Sequence, residues 1–518
     1  MNVGHVAAPG AAASAMAADA LLADLMFRPW GQVSPSVYET GRLVTLAPWL
    51  TGHHERIAYL VDSQGPDGAW GAPDGYGLVP TLSATEAFLA ALRRDDPGID
   101  HRLLVQAVKR GLRTLITWLN NPPGEHPTAS AALPDTPAIE HIVPSLICLI
   151  NRHLDGHHPP LPLPDGMSYD MLALVRSWIG SGAEIPEKLL HALEICGTAA
   201  SGASAVRPTA IGTVGASPAA TAAWLGERGA HEAWHPARGH LEAVARRHGG
   251  PVPVGVPITV FERGWVLSWL LRAGVKVDAP PEMVADLRAA IGPAGTPAGS
   301  GLPADADTTA VALYTLALLG MPYEPDSLWA FHAGTHFSTW PGEQGASVSV
   351  NAHVLDAFGQ YVARRPEAAA RYGETIADVA EWIRDRQGQD GSWADRWHAS
   401  PYYATVSCAL ALGEHGGDAS AGAVRAAVEW VLATQRPDGS WGRWSGTAEE
   451  TAYAMQVLLL TSWRTDPRCE RAADLGLVYL SVADGEHPPL WHDKDLYAPI
   501  AVIRAAVIAA AHLAGGDR

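Results

Sequence analysis

Asp305 and Asp307 stand one residue apart, directly ahead of the apolar run Val311-Ala312-Leu313-Tyr314-Thr315-Leu316-Ala317-Leu318-Leu319. Two carboxylates at the start of a helix that is apolar on most of its surface are carried into an interior with it. Two roles are open to them. As helix-end residues, Asp305 caps, Asp307 sits on an exposed first turn, and both favour the positive end of the helix dipole. As a chemical pair, one is a buried, protonated acid: desolvation raises its pKa, while the neighbouring carboxylate carries the negative charge, orients it and resists a second ionisation. The dipole opposes this second role, so burial and the like charge have to outweigh it.

The elements that position these acids announce themselves by repetition. Gln64-Gly65-Pro66-Asp67-Gly68-Ala69-Trp70, Gln387-Gly388-Gln389-Asp390-Gly391-Ser392-Trp393 and Gln435-Arg436-Pro437-Asp438-Gly439-Ser440-Trp441 share one spacing, and each follows a helix end. Asp-Gly makes the turn, the Trp packs back on the helix before it, and the Gln amide ties loose backbone groups at the next helix start. Ala/Leu-rich stretches alternate with Gly/Pro loops through the chain and no period-2 strand stands out, so the chain reads as all-α.

Composition narrows the partners. A 518-residue chain that is 47% hydrophobic and 17% charged has material for two or three packed domains. Its formal charge of −18 argues against nucleic acid and anionic membranes, so a polyanionic substrate needs local cations or a metal ion. Cys148, Cys196, Cys408 and Cys469 are scattered, as in a reduced protein without a zinc site. Residues 1–20 are Ala-rich, lack Lys and Arg and are expected to be disordered; they do not resemble a signal peptide. With no apolar run of membrane-spanning length, the expectation is a soluble, cytoplasmic protein.

Asp305-Ala306-Asp307-Thr308-Thr309-Ala310 resembles the Asp-x-Asp-Asp-Thr-Ala acid motif of class II terpene cyclases, with Thr308 in place of the last Asp. The Gln-Trp blocks agree, as do the segment Trp30 to Thr40 and a Thr-Ala-like helix start that recurs around Thr81, Thr221, Thr309, Thr405 and Thr451. The resemblance implies two double-ring (α/α) barrel domains. A γ domain (52–250) is inserted into a β domain made of 21–51 and 251–518, and the β domain carries the acid motif. The Gly/Ala/Pro-rich stretches 198–218 and 291–304 are candidate mobile loops. No class I α domain is implied: Asp95-Asp96-Pro97-Gly98-Ile99-Asp100 has the wrong spacing for a diphosphate-ionising Asp-Asp-x-x-Asp.

The chemistry that the resemblance implies is protonation-initiated cyclisation of an isoprenoid diphosphate. Asp307 matches the general acid, Asp305 orients it and carries charge, and Thr308 completes a variant similar to that of drimane-forming cyclases. The first expectation is therefore farnesyl diphosphate closing to a bicyclic drimane-type product that keeps its diphosphate. A diterpene cyclase acting on geranylgeranyl diphosphate is the alternative, and a non-catalytic helical-repeat scaffold is the reading from another class. Asp135-Thr136-Pro137-Ala138-Ile139-Glu140 resembles a magnesium motif, so Glu140 and Asp135 are the expected Mg²⁺ ligands, with a solvated loop as the alternative. His191 lies in a segment similar to one that holds a catalytic base in plant relatives, but the partnering Asn position falls at Val254, leaving a core His and a base both open. Trp265, Trp397, Tyr402 and Tyr497 are the candidate π faces for a carbocation, and Arg396 and Lys494 the candidate diphosphate cations. A homodimer is left open.

Overall fold

The structure is a computed structural model, and it describes residues 10–120, 133–154, 156, 159–343, 345–483 and 485–515. Six helices close a ring: Thr259–Arg272, Ala306–Leu318, Val348–Arg364, Pro401–His415, Ala448–Leu460 and Ile500–Gly515. Each packs on the next and the last returns to the first. These are the helices that are apolar all round; in Ala306–Leu318 every residue from Thr308 to Ala317 is buried. An outer layer packs against the ring, and its members bury one stripe each. Ala369–Arg384, for instance, buries Tyr372, Val379, Ala380, Trp382 and Ile383 and leaves its other face to solvent. Pro281–Ala290, Pro325–Phe331, Ala421–Ala433 and Pro467–Val482 take further outer positions.

The sixth outer position belongs to Ala11–Phe27, which takes in the second half of the stretch 1–20 that is expected to be disordered. Ala18, Leu21, Leu22 and Leu25 are buried, a helical stripe that packs on Ile500–Gly515. Low complexity hid that stripe, because Ala dominates both faces; residues 1–9 lie outside the described residues. A second ring, built from Val37–Leu46, Leu78–Arg94, Ile139–Leu154, Glu187–Ala200 and Pro218–Leu225, carries His53–Asp62, His101–Asn120, Asp170–Ser181 and Pro236–Arg247 outside it. Val37–Leu46 packs on members of this second ring, so the crossing between the two units lies before residue 37 rather than at 51. Among the described residues, no helix is long and apolar enough to cross a membrane.

The repeated motifs work as one joint. In all three blocks the Trp Nε1 donates to a carbonyl in the last turns of the preceding helix: Trp70 to Leu60, Trp393 to Ile383 and Trp441 to Val431. The Gln amide bonds its own turn and the next outer helix, as Gln387 does with the Gly391 and Ala423 carbonyls. The five recurrent threonines complete it. Thr81, Thr221, Thr309, Thr405 and Thr451 each accept the backbone N–H of a residue in the loop before their inner helix: Trp70, Val214, Thr296, Trp393 and Trp441 respectively. Burying a loop N–H unpaired costs about 1–3 kcal/mol, so one hydroxyl per repeat docks each loop onto the inner ring.

At the acid helix this joint involves a small hairpin. Thr296–Pro297 pairs antiparallel with Ala304–Asp305, Thr296 opposite Asp305, and the Ala298 carbonyl accepts from Val260 and Phe261. The stretch 291–304, a candidate mobile loop, is therefore fixed by backbone pairing; strands of two residues are too short to show a period in the sequence.

Candidate active site

Asp305 is the N-cap of the acid helix, in extended conformation, and both its oxygens are used: Thr308 N donates to Oδ1 at 2.6 Å and Thr308 Oγ1 to Oδ2 at 2.9 Å. Burial pushes its carboxyl up to about 7, against the Thr308 hydrogen bonds that pull it down; the charge of Asp307 adds to the rise. Asp307, two residues into the helix, keeps 15% of its side chain exposed and places Oδ1 2.6 Å from Nδ1 of His353 on the neighbouring inner helix. Burial opposes a charge on His353, but the Asp307 carboxylate and hydrogen bond, with Asp356 behind, outweigh it, and the imidazole pKa lies above its ordinary value. The cap and the buried, raised acid are therefore one residue, Asp305, so the expectation that Asp305 is the member that carries the charge is not what burial favours. Asp307 is the less buried carboxyl, and among the described residues its second oxygen accepts no hydrogen bond.

Aromatic rings surround this pair. Trp265 stands edge-on to His353 at 5.5 Å, donates its Nε1 to Tyr403 OH at 3.0 Å and packs on Phe261 at 4.2 Å. Tyr403 in turn packs on Trp491 at 4.6 Å. Tyr497 faces Trp491 at 6.4 Å, and burial, then the charges of Asp493 and Asp307, push its pKa well above its usual value. Trp397 donates to Thr339 Oγ1 at 3.2 Å, and the Thr339 carbonyl accepts from Ala306, between the two acids. Trp265, Tyr497 and Trp397 are therefore brought to the acid.

Tyr402 is not. It packs on Trp430 of an outer helix at 4.6 Å, facing away from the ring interior, and Tyr403 takes its place. Consecutive helical residues point about 100° apart, so a one-residue difference moves the ring to another face. Lys494 is also displaced from its expected role: it is fully buried, paired with Glu39 and with Glu194 at 3.1 Å, and bonded to Ser217 Oγ and the His191 carbonyl. Nothing of its charge remains for a diphosphate. His191 donates Nδ1–H to the Gly215 carbonyl at 2.6 Å and holds Asp493 Oδ1 on Nε2 at 2.9 Å. Burial disfavours its charge, but Asp493 outweighs it and raises its pKa, and both ring nitrogens are engaged by protein groups.

Arg396 bridges the two units, pairing Asp135 at 2.8 Å and Glu343 at 2.7 Å. Asp135 is 66% exposed and Glu140, at the start of Ile139–Leu154, 60%. Ala138 between them has φ 58°, a left-handed turn that a non-glycine residue adopts at a cost. Hard, solvent-facing carboxylates beside an arginine fit a hydrated Mg²⁺, which takes one or two carboxylates and keeps the rest of its shell for water and phosphate oxygens. Sequence reasoning singled out neither His353 nor Tyr403, Phe261 or Trp491 as site residues. The available signal was the set Ser349, Asn351, His353 and Asp356, polar and buried on an otherwise apolar helix.

Comparison with known proteins agrees with this geometry. The squalene-hopene cyclase C-terminal domain family model matches residues 344–465. The chain is 42% identical to an ent-copalyl diphosphate synthase of Streptomyces sp. (strain KO-3988), over 98% of this chain and 96% of that protein. It is 41% identical to a labda-7,13-dienyl diphosphate synthase of Streptomyces clavuligerus, over 98% and 94%. Among solved structures, ent-copalyl diphosphate synthase from Streptomyces platensis superposes with a TM-score of 0.90 at 45% identity, covering 97% of this chain and 99% of that one. Relatedness along the whole length, together with the acid pair at the mouth of a closed helical ring, places the chain in one family and sets aside the non-catalytic scaffold: it belongs to the bacterial class II terpene cyclases.

Proposed function

We propose that the enzyme cyclises geranylgeranyl diphosphate to a bicyclic, copalyl-type diphosphate, with Asp307 as the acid. The Asp307–His353 pair carries the acid assignment. An alkene is a weak base, so the proton must come from a strong acid in a dry site. An imidazolium that donates to Oδ1 stabilises the carboxylate formed as the other oxygen gives its proton to the terminal alkene carbon. The positive charge then appears on the adjacent tertiary carbon, ring closure moves it inward, and loss of a C–H proton to a base ends the reaction. The faces of Trp265, Tyr403, Phe261 and Trp491 are suited to stabilise the migrating charge.

Substrate length rests on the relatives, whose names carry C20 diphosphate products. They favour this alternative over the first expectation of a C15 substrate. That expectation leaned on Thr308, and Thr308 bonds Asp305 through both its N–H and its hydroxyl, a role in the cap. Retention of the diphosphate follows from the same product names and from an acid mechanism that breaks no C–O bond. Glu140 and Asp135 would hold Mg²⁺, which would supply charge neutralisation for the diphosphate, with Arg396 beside it on Asp135.

Purified enzyme given geranylgeranyl or farnesyl diphosphate, followed by dephosphorylation and analysis of the alcohols, tests the reading. The expected result is kcat/KM at least about tenfold higher for the C20 substrate, since roughly five missing carbons forfeit several buried CH₂ contacts. EDTA and Glu140→Gln are expected to raise the apparent KM. Equal or better use of the C15 substrate overturns the assignment of length, and turnover indifferent to EDTA overturns that of the metal.

A further inference from the structure

Asp307 occupies only one edge of the His353 ring. Nδ1 faces Asp307, while among the described residues Nε2 hydrogen-bonds no protein group. The ring also lines a cavity of ≈ 20 Å³, bounded by Ser268, Arg272, Tyr314, Asp356 and Ser407 among others. That is room for a single water, and the lining supplies the two to four polar partners that a buried water needs. Asp356 lies three residues after His353, on the same face of the helix.

The groups that face His353 can be named for each helix packed on it. The acid helix contributes Asp307 and Tyr314, its own helix Asp356, Thr259–Arg272 the Arg272 guanidinium, and Pro401–His415 Tyr403, with Glu414 and His415 beyond Asp356. Asp356 is gripped from the far side. Arg272 donates Nη1 to Oδ2 at 2.8 Å and Nη2 to Oδ1 at 3.0 Å, and its Nε goes to Glu414 at 2.9 Å. Arg272 is thus the cation that this carboxylate pair already holds. His415 stays off Asp356 at 3.9 Å, and burial lowers its pKa. The groups nearest His353 are therefore the acid Asp307 in front, Asp356 behind, whose carboxyl burial pushes up and the Arg272 guanidinium pulls back down, and Arg272 one step further out.

We propose that Asp356 is a positioning residue for the acid step: through one water in this cavity it holds His353 as an imidazolium, so that the Nδ1–H stays on Asp307. The inference rests on Asp307 being the acid. An imidazolium leaves the acid proton on the outer oxygen of Asp307, free to go to the alkene, and stabilises the carboxylate left behind. A neutral ring that carries its proton on Nε2 instead turns a lone pair toward Asp307 and competes for the same proton. The charge of Asp356 therefore sets the pH at which the enzyme loses its acid, and Arg272 limits how strongly it does so.

The test is the pH profile of kcat for wild type and Asp356→Asn with geranylgeranyl diphosphate, with Asp307→Asn in parallel. Asp356→Asn keeps shape and a hydrogen-bond acceptor but loses the charge. Near neutral pH, kcat is expected to fall about tenfold with KM unchanged, and the high-pH limb to move about one unit lower, as for a lost interaction worth one pKa unit. A limb that stays in place, or a loss confined to KM or Tm, overturns the proposal. Because the single variant leaves Arg272 short of a charge partner, and Arg272 itself lowers the His353 pKa, Arg272→Met/Asp356→Asn is compared with Arg272→Met alone: a limb lower in the double variant than in Arg272→Met supports the proposal, and coincident limbs overturn it. If Asp307→Asn retains turnover, the acid assignment fails; if it is inactive and the limb does not move, only the role of Asp356 fails.

Discussion

His353 Nδ1 stands 2.6 Å from Asp307 Oδ1 and ties the middle of one inner helix to the first turn of the next. An acid held from a neighbouring helix cannot turn away from the reacting carbon without breaking that bond. Its strength also follows the charge of the ring.

Two substitutions separate these effects. Asp307→Asn keeps the shape and removes the donor, and general acid catalysis contributes about 10²–10⁴-fold, so turnover should fall at least that far with Tm and substrate binding retained. His353→Gln leaves the acid in place but without a cation, so a smaller loss is expected. The sign of the pH effect is fixed by the raised pKa of His353: the imidazolium is present below that pKa and lost as pH rises through it, so wild-type kcat falls on the alkaline side. The His353→Gln profile should lack that limb. A His353→Gln profile identical to wild type contradicts the pairing.

Asp305 yields a prediction about stability. Its folded-state pKa of about 7 is raised above the ordinary 3.8, so between those values the folded protein binds a proton that the unfolded chain has released. Stability due to this group is therefore greatest at low pH and declines as pH rises from about 4 to about 7, by a few kcal/mol at most for a shift of roughly three units. Asp305→Asn keeps an N-cap oxygen for Thr308 but cannot ionise. Thermal unfolding at pH 5 and pH 8 should show a smaller loss for the variant than for wild type. The remaining slope comes from other carboxyls raised by burial, among them Glu39 and Glu262 to about 7 and Asp495 to about 6. An equal slope in both proteins removes Asp305 from the account.

The sequence discloses the inner ring, the blocks and the acid pair because each is a local signal. An all-apolar helix, an Asp-Gly turn and two carboxylates at a helix start can be read within ten residues. What it concealed depends on contacts across the chain. His353 and Asp307 are brought together by two helices packing side by side, and the choice of Tyr403 over Tyr402 is made by the rotation of one helix. Lys494 shows the same limit from the other direction: a lysine between two aspartates, Asp493 and Asp495, looks like an exposed cation. Its burial is decided by Glu39 and Glu194, hundreds of residues earlier.

Lys494 also makes the last prediction. The hairpin that carries it, Trp491–His492 against Leu496–Tyr497, reaches into the second ring with three consecutive side chains: Asp493 on His191, Lys494 on Glu39 and Glu194, and Asp495 on Ser36 and the Tyr38 N–H. Removing one partner of a buried ion pair costs about 3–5 kcal/mol, chiefly because the other charge is left unpaired. Lys494→Met is therefore expected to lower Tm by several degrees. Enzyme that stays folded at low temperature should bind substrate with a KM close to wild type. A diphosphate ligand behaves in the opposite way, with KM raised and Tm held. The double variant Glu39→Gln/Lys494→Met distinguishes loss of a charge pair from loss of packing: neutralising the orphaned carboxylate should restore part of the Tm. A Tm unchanged in Lys494→Met, with KM increased tenfold or more, would return this residue to the substrate site.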